Sequence, residues 1–464
     1  MKKYISLTAL LMIIFVAGSG SGAVKFTLPE VKKVKLNNGL TFLHVEDELP
    51  QTTIIVSVGF GRMYEDEKTA GISDLIVRQM LAGGSVRYPG TSAFEMIENR
   101  GGSLSISTSW EATTVSVQVL SKFTEEAFDV VSSFLESPAF TPEAYKKAAE
   151  GVTGDLKMRY NDPFNIGFDF ARNTVFRGAG YGALPTVAKT GLYNIEDLKA
   201  VWKKYFTAGN MIAAVSSSES YDACRLLAEK SFRTLSPGKR MPAAPLSGTL
   251  DADLKKESGI IYLVVRDIPQ ATVIAATAAP GMESEASYTL TLMDYLLGGG
   301  SFSSKLMSEI RVKRGLAYMV QSVYRPRGGA GIFMAIAQTK TESTGEVLGI
   351  IQSSIDEFSS GIIPADEIRR AKEAITNSYI FRFDSRYNLL SNYINMEYYG
   401  LAPDYYEKYT DKMNAVTAAM IASETSSVTV GRLVRVVVGS KDCLPLLEKL
   451  GKVEVIEKGF FDAR

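Results

Sequence analysis

The chain repeats itself at an interval of nearly half its length, and no other feature limits its fold as strongly. The segment Leu81-Ala82-Gly83-Gly84 returns as Leu296-Leu297-Gly298-Gly299, and Phe140-Thr141-Pro142-Glu143 returns as Ile363-Pro364-Ala365-Asp366 ahead of a long helical pattern. Tyr221-Asp222-Ala223-Cys224 before Leu226-Leu227 returns as Lys441-Asp442-Cys443 before Leu446-Leu447. The offsets are 215 (Gly83 to Gly298), 222 (Pro142 to Pro364) and 219 (Cys224 to Cys443). An interval this steady indicates two tandem copies of one unit. A chain of 464 residues also exceeds the length at which a single core stops growing, so two domains are expected on size alone.

The boundary between the copies is visible in composition. Residues 236–258 are polar and rich in proline, with Pro237, Pro242 and Pro245, and show no sustained helix or strand period, which predicts a linker. It separates an N-terminal domain at 24–235 from a C-terminal domain at 259–464. Each half reads as α+β. Strands over 34–36, 40–45 and 52–58 surround the hairpin signal Asn37-Asn38-Gly39. Helical periods at 72–82 and 92–98, strands at 104–107 and 113–120, and long helices at 125–135 and 142–159 follow. The second half replays that order from Ile260 to Tyr379, and antiparallel sheets backed by helices are the economical packing for it.

Lys2 and Lys3 precede an apolar run from Ile5 to Ala17 and small residues from Gly18 to Ala23, the pattern of a signal peptide cleaved after Ala23, over 1–23. A periplasmic or secreted protein is therefore expected, with an uncleaved membrane anchor as the alternative; no later run is long and apolar enough to span a bilayer. Cys224 and Cys443 stand at equivalent points of the two copies, too far apart in side-by-side domains to bridge, and are expected as buried thiols. Lys plus Arg equals Asp plus Glu at 51 each, which argues against nucleic acid as a ligand.

The stretch from Gly71 to Met80, Gly-Ile-Ser-Asp-Leu-Ile-Val-Arg-Gln-Met, resembles the zinc helix of the pitrilysin, insulinase and mitochondrial-processing-peptidase family. That family carries an inverted motif, H-x-x-E-H, with a further glutamate on a later helix. By this resemblance Asp74 stands at the first histidine, Val77 at the glutamate base and Arg78 at the second histidine, and Asp155 falls at or near the third ligand's place. A hydrolytic zinc site needs neutral imidazoles, a carboxylate and a base for the attacking water. Arg78 repels a cation and Val77 takes no proton, so no cofactor is expected. Asp74 and Arg78, four apart with the acid first, are read either as a salt bridge replacing the metal or as two solvated charges. His44, the single histidine, is expected to be structural.

The second copy keeps a different part of the family pattern. Leu297 to Leu306 and Glu309 to Tyr318 resemble the family's C-terminal substrate-binding segment, in which an arginine and a tyrosine seven apart hold the peptide and its developing oxyanion; Arg311 and Tyr318 match that pair. Gly298, Gly299 and Gly300 are read as a hinge or a backbone surface for peptide contact. Asn38-Gly39-Leu40, Gly180-Tyr181-Gly182, Asp197-Leu198 through Phe206 and Tyr399-Gly400-Leu401 extend the resemblance along the mature chain. It implies a non-catalytic, substrate-binding subunit of a heterodimeric zinc metallopeptidase, paired with a zinc-bearing subunit of the same family and acting on peptides or unfolded segments. The alternatives are a structural or peptide-binding scaffold with no proteolytic partner, and a divergent metal enzyme using Asp74 and Asp155.

Overall fold

The computed structural model describes residues 27–178, 180–241, 250–300, 302–457 and 461. The signal peptide expected over 1–23 lies outside the described residues. Two six-stranded sheets form the frame. The first contains β1 (Val31–Lys35), β2 (Thr41–Glu46), β3 (Gln51–Val58), β4 (Ser103–Thr108), β5 (Thr113–Leu120) and β6 (Met211–Ser217), in spatial order β1-β2-β6-β3-β5-β4. The second contains β7 (Ile260–Val265), β8 (Gln270–Ala279), β9 (Ala317–Pro326), β10 (Gly331–Lys340), β11 (Val434–Gly439) and β12 (Lys452–Ile456), in order β12-β7-β11-β8-β10-β9.

Five strands correspond one to one, β2-β6-β3-β5-β4 with β7-β11-β8-β10-β9. Gln51 opens β3 and Gln270 opens β8, an offset of 219 that equals the cysteine spacing. The sixth strands differ: β1 enters by the predicted hairpin, where Gly39 takes a φ of +96° that favours glycine, whereas β12 comes from the opposite end of the chain. The sheets are mostly antiparallel, as expected, but β2–β6, β7–β11 and β7–β12 pair in parallel. β6 and β11 arrive after long helical excursions, and such crossovers allow parallel entry where a tight hairpin cannot.

Strand alternation divides each sheet into two apolar faces. On one face of the first sheet, Ile54, Val56 and Val115 pack against Leu75, Ile76, Phe128 and Phe134 from helices of the same half. The opposite faces are covered by exchange. Leu389, Leu390, Tyr393 and Ile394, on the helix Arg386–Tyr399 of the second half, pack on Leu43, Val45, Ile55, Ile212 and Ala214 of the first sheet. Reciprocally, Ile166, Phe170 and Ala171, on the helix Pro163–Val175 of the first half, pack on Ile274, Ala276, Val436 and Val438 of the second sheet. The two exchanged helices are repeat equivalents, beginning at Pro163 and Arg386. Arg386 fixes its helix with a two-pronged pair to the buried Asp47, at 2.6 and 2.8 Å.

The linker expected over 236–258 is corrected in its second part, because Leu250–Glu257 is an α-helix. Residues 242–249 lie outside the described residues. Leu254 is buried between the halves, and Arg177 holds Asp253 at 2.9 Å and Glu257 at 3.0 Å, so tertiary contacts order a segment whose local pattern is weak. Cys224 and Cys443 are unbridged and buried, each within the core of its own half.

Candidate functional site

The helix Ile72–Gly83 begins at Gly71, whose φ of +92° turns the chain into it. Its first turn is held by Glu65, which accepts hydrogen bonds from Gly71 N at 2.9 Å, Ser73 N at 2.9 Å and the Ser73 hydroxyl at 2.6 Å. Burial outweighs these bonds and pushes the Glu65 carboxyl up to about 7. Ile72, Leu75, Ile76 and Met80 enter the core, and Val77 goes with them. Asp74 and Arg78 occupy the opposite stripe.

The salt bridge between Asp74 and Arg78 does not form. Arg62, from the turn Arg62–Tyr64 that precedes the helix, donates Nε to Asp74 Oδ2 at 2.9 Å and Nη2 to Oδ1 at 2.7 Å. Arg78 instead pairs with Asp155 on the adjacent helix Pro142–Arg159. Neighbouring elements supply better-aligned partners than a helical turn does, since a guanidinium fork binds a carboxylate with two parallel hydrogen bonds. Gly151 makes room for this arrangement, because a Cβ there would stand 2.8 Å from Arg78 Nη1. The resemblance thus identified positions that do converge: Asp74, Arg78 and Asp155 line one cleft of about 270 Å³.

These residues do not suit zinc. Both carboxylates are engaged by guanidinium groups, and Arg78 places a permanent cation where the family has an imidazole. Among the described residues no three or more His, Cys, Asp or Glu side chains are grouped so as to hold a metal ion. His44 lies on β2, with Nε2 3.2 Å from the Glu219 carbonyl and its ring edge-on to Tyr221; burial lowers its pKa. It plays the structural part expected of it. The divergent-metal alternative built on Asp74 and Asp155 loses its ligands in the same way.

Deeper in the cleft, Arg159 donates to Asp169 at 2.6 and 2.9 Å, and Arg172 reaches the same carboxylate at 3.4 Å. Arg172 is only 4% exposed; it also donates to the carbonyls of Tyr181 and Ala183, lies 4.4 Å from the Trp110 ring, and leaves its buried Nε without an acceptor.

In the second half, Arg311 lies in the π-helical segment Met307–Val312, and Gly315, at φ +63°, reverses the chain into β9. This reversal brings the Arg311 guanidinium 5.4 Å from the Tyr318 ring and 5.5 Å from Phe302. Tyr318 is 82% exposed and Phe302 68%, with Val312 also exposed beside them. Gly298 to Gly300 have a packing reason of their own. A Cβ would meet Ser322 N at 2.3 Å, Asp294 Oδ2 at 2.8 Å or the Tyr295 ring at 2.6 Å, respectively, so the run is seated against β9 and its own helix; Gly299 alone is exposed.

Sequence reasoning missed Arg62, Trp110, Arg159, Asp169, Arg172, Arg325 and Arg327. Arg325 lies near the end of β9 and Arg327 just past it, where both line a pocket adjoining this cleft; two arginines flanking a proline at a strand end are the sequence signal for them. Arg62 precedes the helix by a full turn and loop, and its partner depends on how that loop folds back.

Residues 42–183 match the family described as "Insulinase (Peptidase family M16)", and residues 193–375 match "Peptidase M16 inactive domain". A Helicobacter pylori protein named "Non-peptidase homolog YmxG" is 24% identical over 86% of this chain and 90% of its own length. A Rickettsia felis protein named "Uncharacterized zinc protease" is 23% identical over 74% of this chain and 82% of its own. Among solved structures, a peptidase M16 inactive domain from Pseudomonas fluorescens superposes with a TM-score of 0.79 at 20% identity, covering 89% of this chain and 98% of that one. A protease from Helicobacter pylori gives 0.80 at 16% identity, covering 89% and 100%.

Proposed function

The chain belongs to the M16 peptidase family as an inactive-type homologue, and on that premise we propose that it is the substrate-holding subunit of a heterodimer whose other subunit carries zinc. The observation that carries this reading is the convergence of Arg311 and Tyr318, 5.4 Å apart on an exposed aromatic patch, in a chain whose own metal positions are closed by ion pairs. A guanidinium donates to a peptide carbonyl, and a phenol donates to the oxygen that becomes negative when water attacks. In isolation the pair has no metal-bound water to work with, so cleavage draws on a second chain.

The backbone of an extended peptide is held in this reading by strand addition. Among the described residues β4 is an edge strand that pairs with β5 alone, and it runs beside the Ile72–Gly83 helix. The exposed Gly299 backbone offers the peptide a further contact in the second half. The signal-like pattern from Lys2 to Ala23 supports placing this work outside the cytoplasm.

The test mixes the purified chain with a zinc-bearing M16 subunit from the same organism and follows hydrolysis of an unfolded peptide. Tyr318→Phe is expected to lower turnover on the order of 100-fold, the usual effect of deleting one oxyanion donor, and Arg311→Ala to raise KM as well. Unchanged hydrolysis in both variants removes the pair from the mechanism. A stable self-dimer that neither binds such a subunit nor supports hydrolysis establishes the scaffold alternative instead.

A further inference from the structure

The cleft at the former metal position opens into a second pocket that the peptide-holding reading does not use. This pocket measures about 220 Å³ and lies between the halves, with Arg62, Trp110, Arg159 and Arg172 shared with the cleft and Arg325 and Arg327 contributed by the turn from β9 to β10. Five arginines line it and no carboxylate does. Asp74 answers Arg62, and Asp169 is divided between Arg159 and Arg172. Glu111 lies 3.9 Å from Arg327, but its oxygens already accept from Tyr181, Tyr399 and Gly328 N. Arg325 is exposed and has no ion-pair partner among the described residues. Five guanidinium groups against three carboxylates leave a surplus of two positive charges, one on the exposed Arg325 and one divided between Arg159 and Arg172 across Asp169.

The remaining wall is apolar. Trp110, Phe168, Phe176 and Ile332 face the arginines, and Trp110 is flanked by two of them, Arg62 at 5.7 Å and Arg172 at 4.4 Å. The volume falls below the roughly 300 Å³ at which pockets for drug-sized ligands begin, so it suits one side chain rather than a nucleotide.

We propose that this pocket binds a carboxylate attached to an apolar body, the C-terminal residue of a peptide ending in a large apolar side chain being the best fit. Arg325 and Arg327 grip the carboxylate, and the aromatic wall takes the side chain. The guanidinium fork matches a planar carboxylate. The inference does not depend on a zinc-bearing partner, and the isolated full chain tests it.

Calorimetric titration with N-acetylphenylalanine, N-acetylphenylalanine amide and inorganic phosphate separates the contributions. The acid is expected to bind at one site and at least about tenfold more tightly than the amide, with affinity falling as salt rises. Arg325→Gln, at an exposed and unpaired position, is expected to weaken the acid about tenfold and leave the amide unchanged, whereas Arg369→Gln, on a surface helix that does not line the pocket, leaves both unchanged. Equal binding of acid and amide, indifference to Arg325→Gln, or displacement of the acid by equimolar phosphate overturns the assignment.

Discussion

Asp169 and Asp155 are both aspartates paired with arginine in the same cleft, yet burial gives them opposite weights. The Asp169 side chain is 2% exposed and serves Arg159 and the buried Arg172 together, so Asp169→Asn strands charge in the interior and is expected to cost about 3–5 kcal/mol, read as a fall in denaturant midpoint. Asp155 is 55% exposed, and Asp155→Asn should cost no more than about 1 kcal/mol by the same measurement. If the two variants shift the midpoint equally, burial is not what separates them. Glu65 adds a pH dependence. Its folded carboxyl is raised to about 7 from an ordinary 4.5, so the folded state holds a proton that the unfolded chain releases between those values. Stability from this group is complete below pH 4.5 and is lost as pH rises through 7. Wild type is therefore expected to lose thermal stability relative to Glu65→Gln between pH 5 and pH 8; parallel curves would refute the assignment. The sequence placed Asp74, Arg78 and Asp155 together through family resemblance, but not their pairing. Local spacing makes Asp74 and Arg78 neighbours, and only the folded loop brings Arg62 closer.

At the scale of elements, periodicity carried most of the fold. The β-rich runs that form β2 and β3 and the helical stripe at Ile72–Gly83 are visible in the residues that now fill the first core. The helices that exchange between sheets were not assignable from pattern, because an apolar stripe records that a face is covered and not by which half of the chain. Gly167 tests the exchange directly. It lies inside the Pro163–Val175 helix, where alanine ordinarily stabilises by about 1 kcal/mol. Here a Cβ would stand 2.9 Å from Ile274 Cδ1 and 3.1 Å from Val438 Cγ2 on the second sheet. Gly167→Ala is accordingly expected to destabilise the protein by about 1–3 kcal/mol despite its better helix propensity. A rise in the unfolding midpoint would mean that the helix and sheet do not approach this closely.

The whole molecule follows from two copies that each complete the other. The duplication and the polar linker suggest independent domains, and the strand orders agree with two units. The covering helices contradict independence. Residues 24–235 alone lack the helix Arg386–Tyr399 and expose Leu43, Val45, Ile55, Ile212 and Ala214, leaving Asp47 without Arg386. Residues 250–464 alone lack Pro163–Val175 and expose Ile274, Ala276, Val436 and Val438. An uncovered apolar sheet face associates rather than remaining in water. Neither half expressed by itself is therefore expected to give a soluble protein with a cooperative thermal transition. Co-expression should restore both, because the exchanged helices are carried on separate pieces and the linker keeps them at high effective concentration. The complex should be one to one by mass. Recovery of either half as a folded, cooperatively melting monomer would show that the opposite sheet faces do not need covering, and the interlocked arrangement would have to be abandoned along with the pocket between the halves.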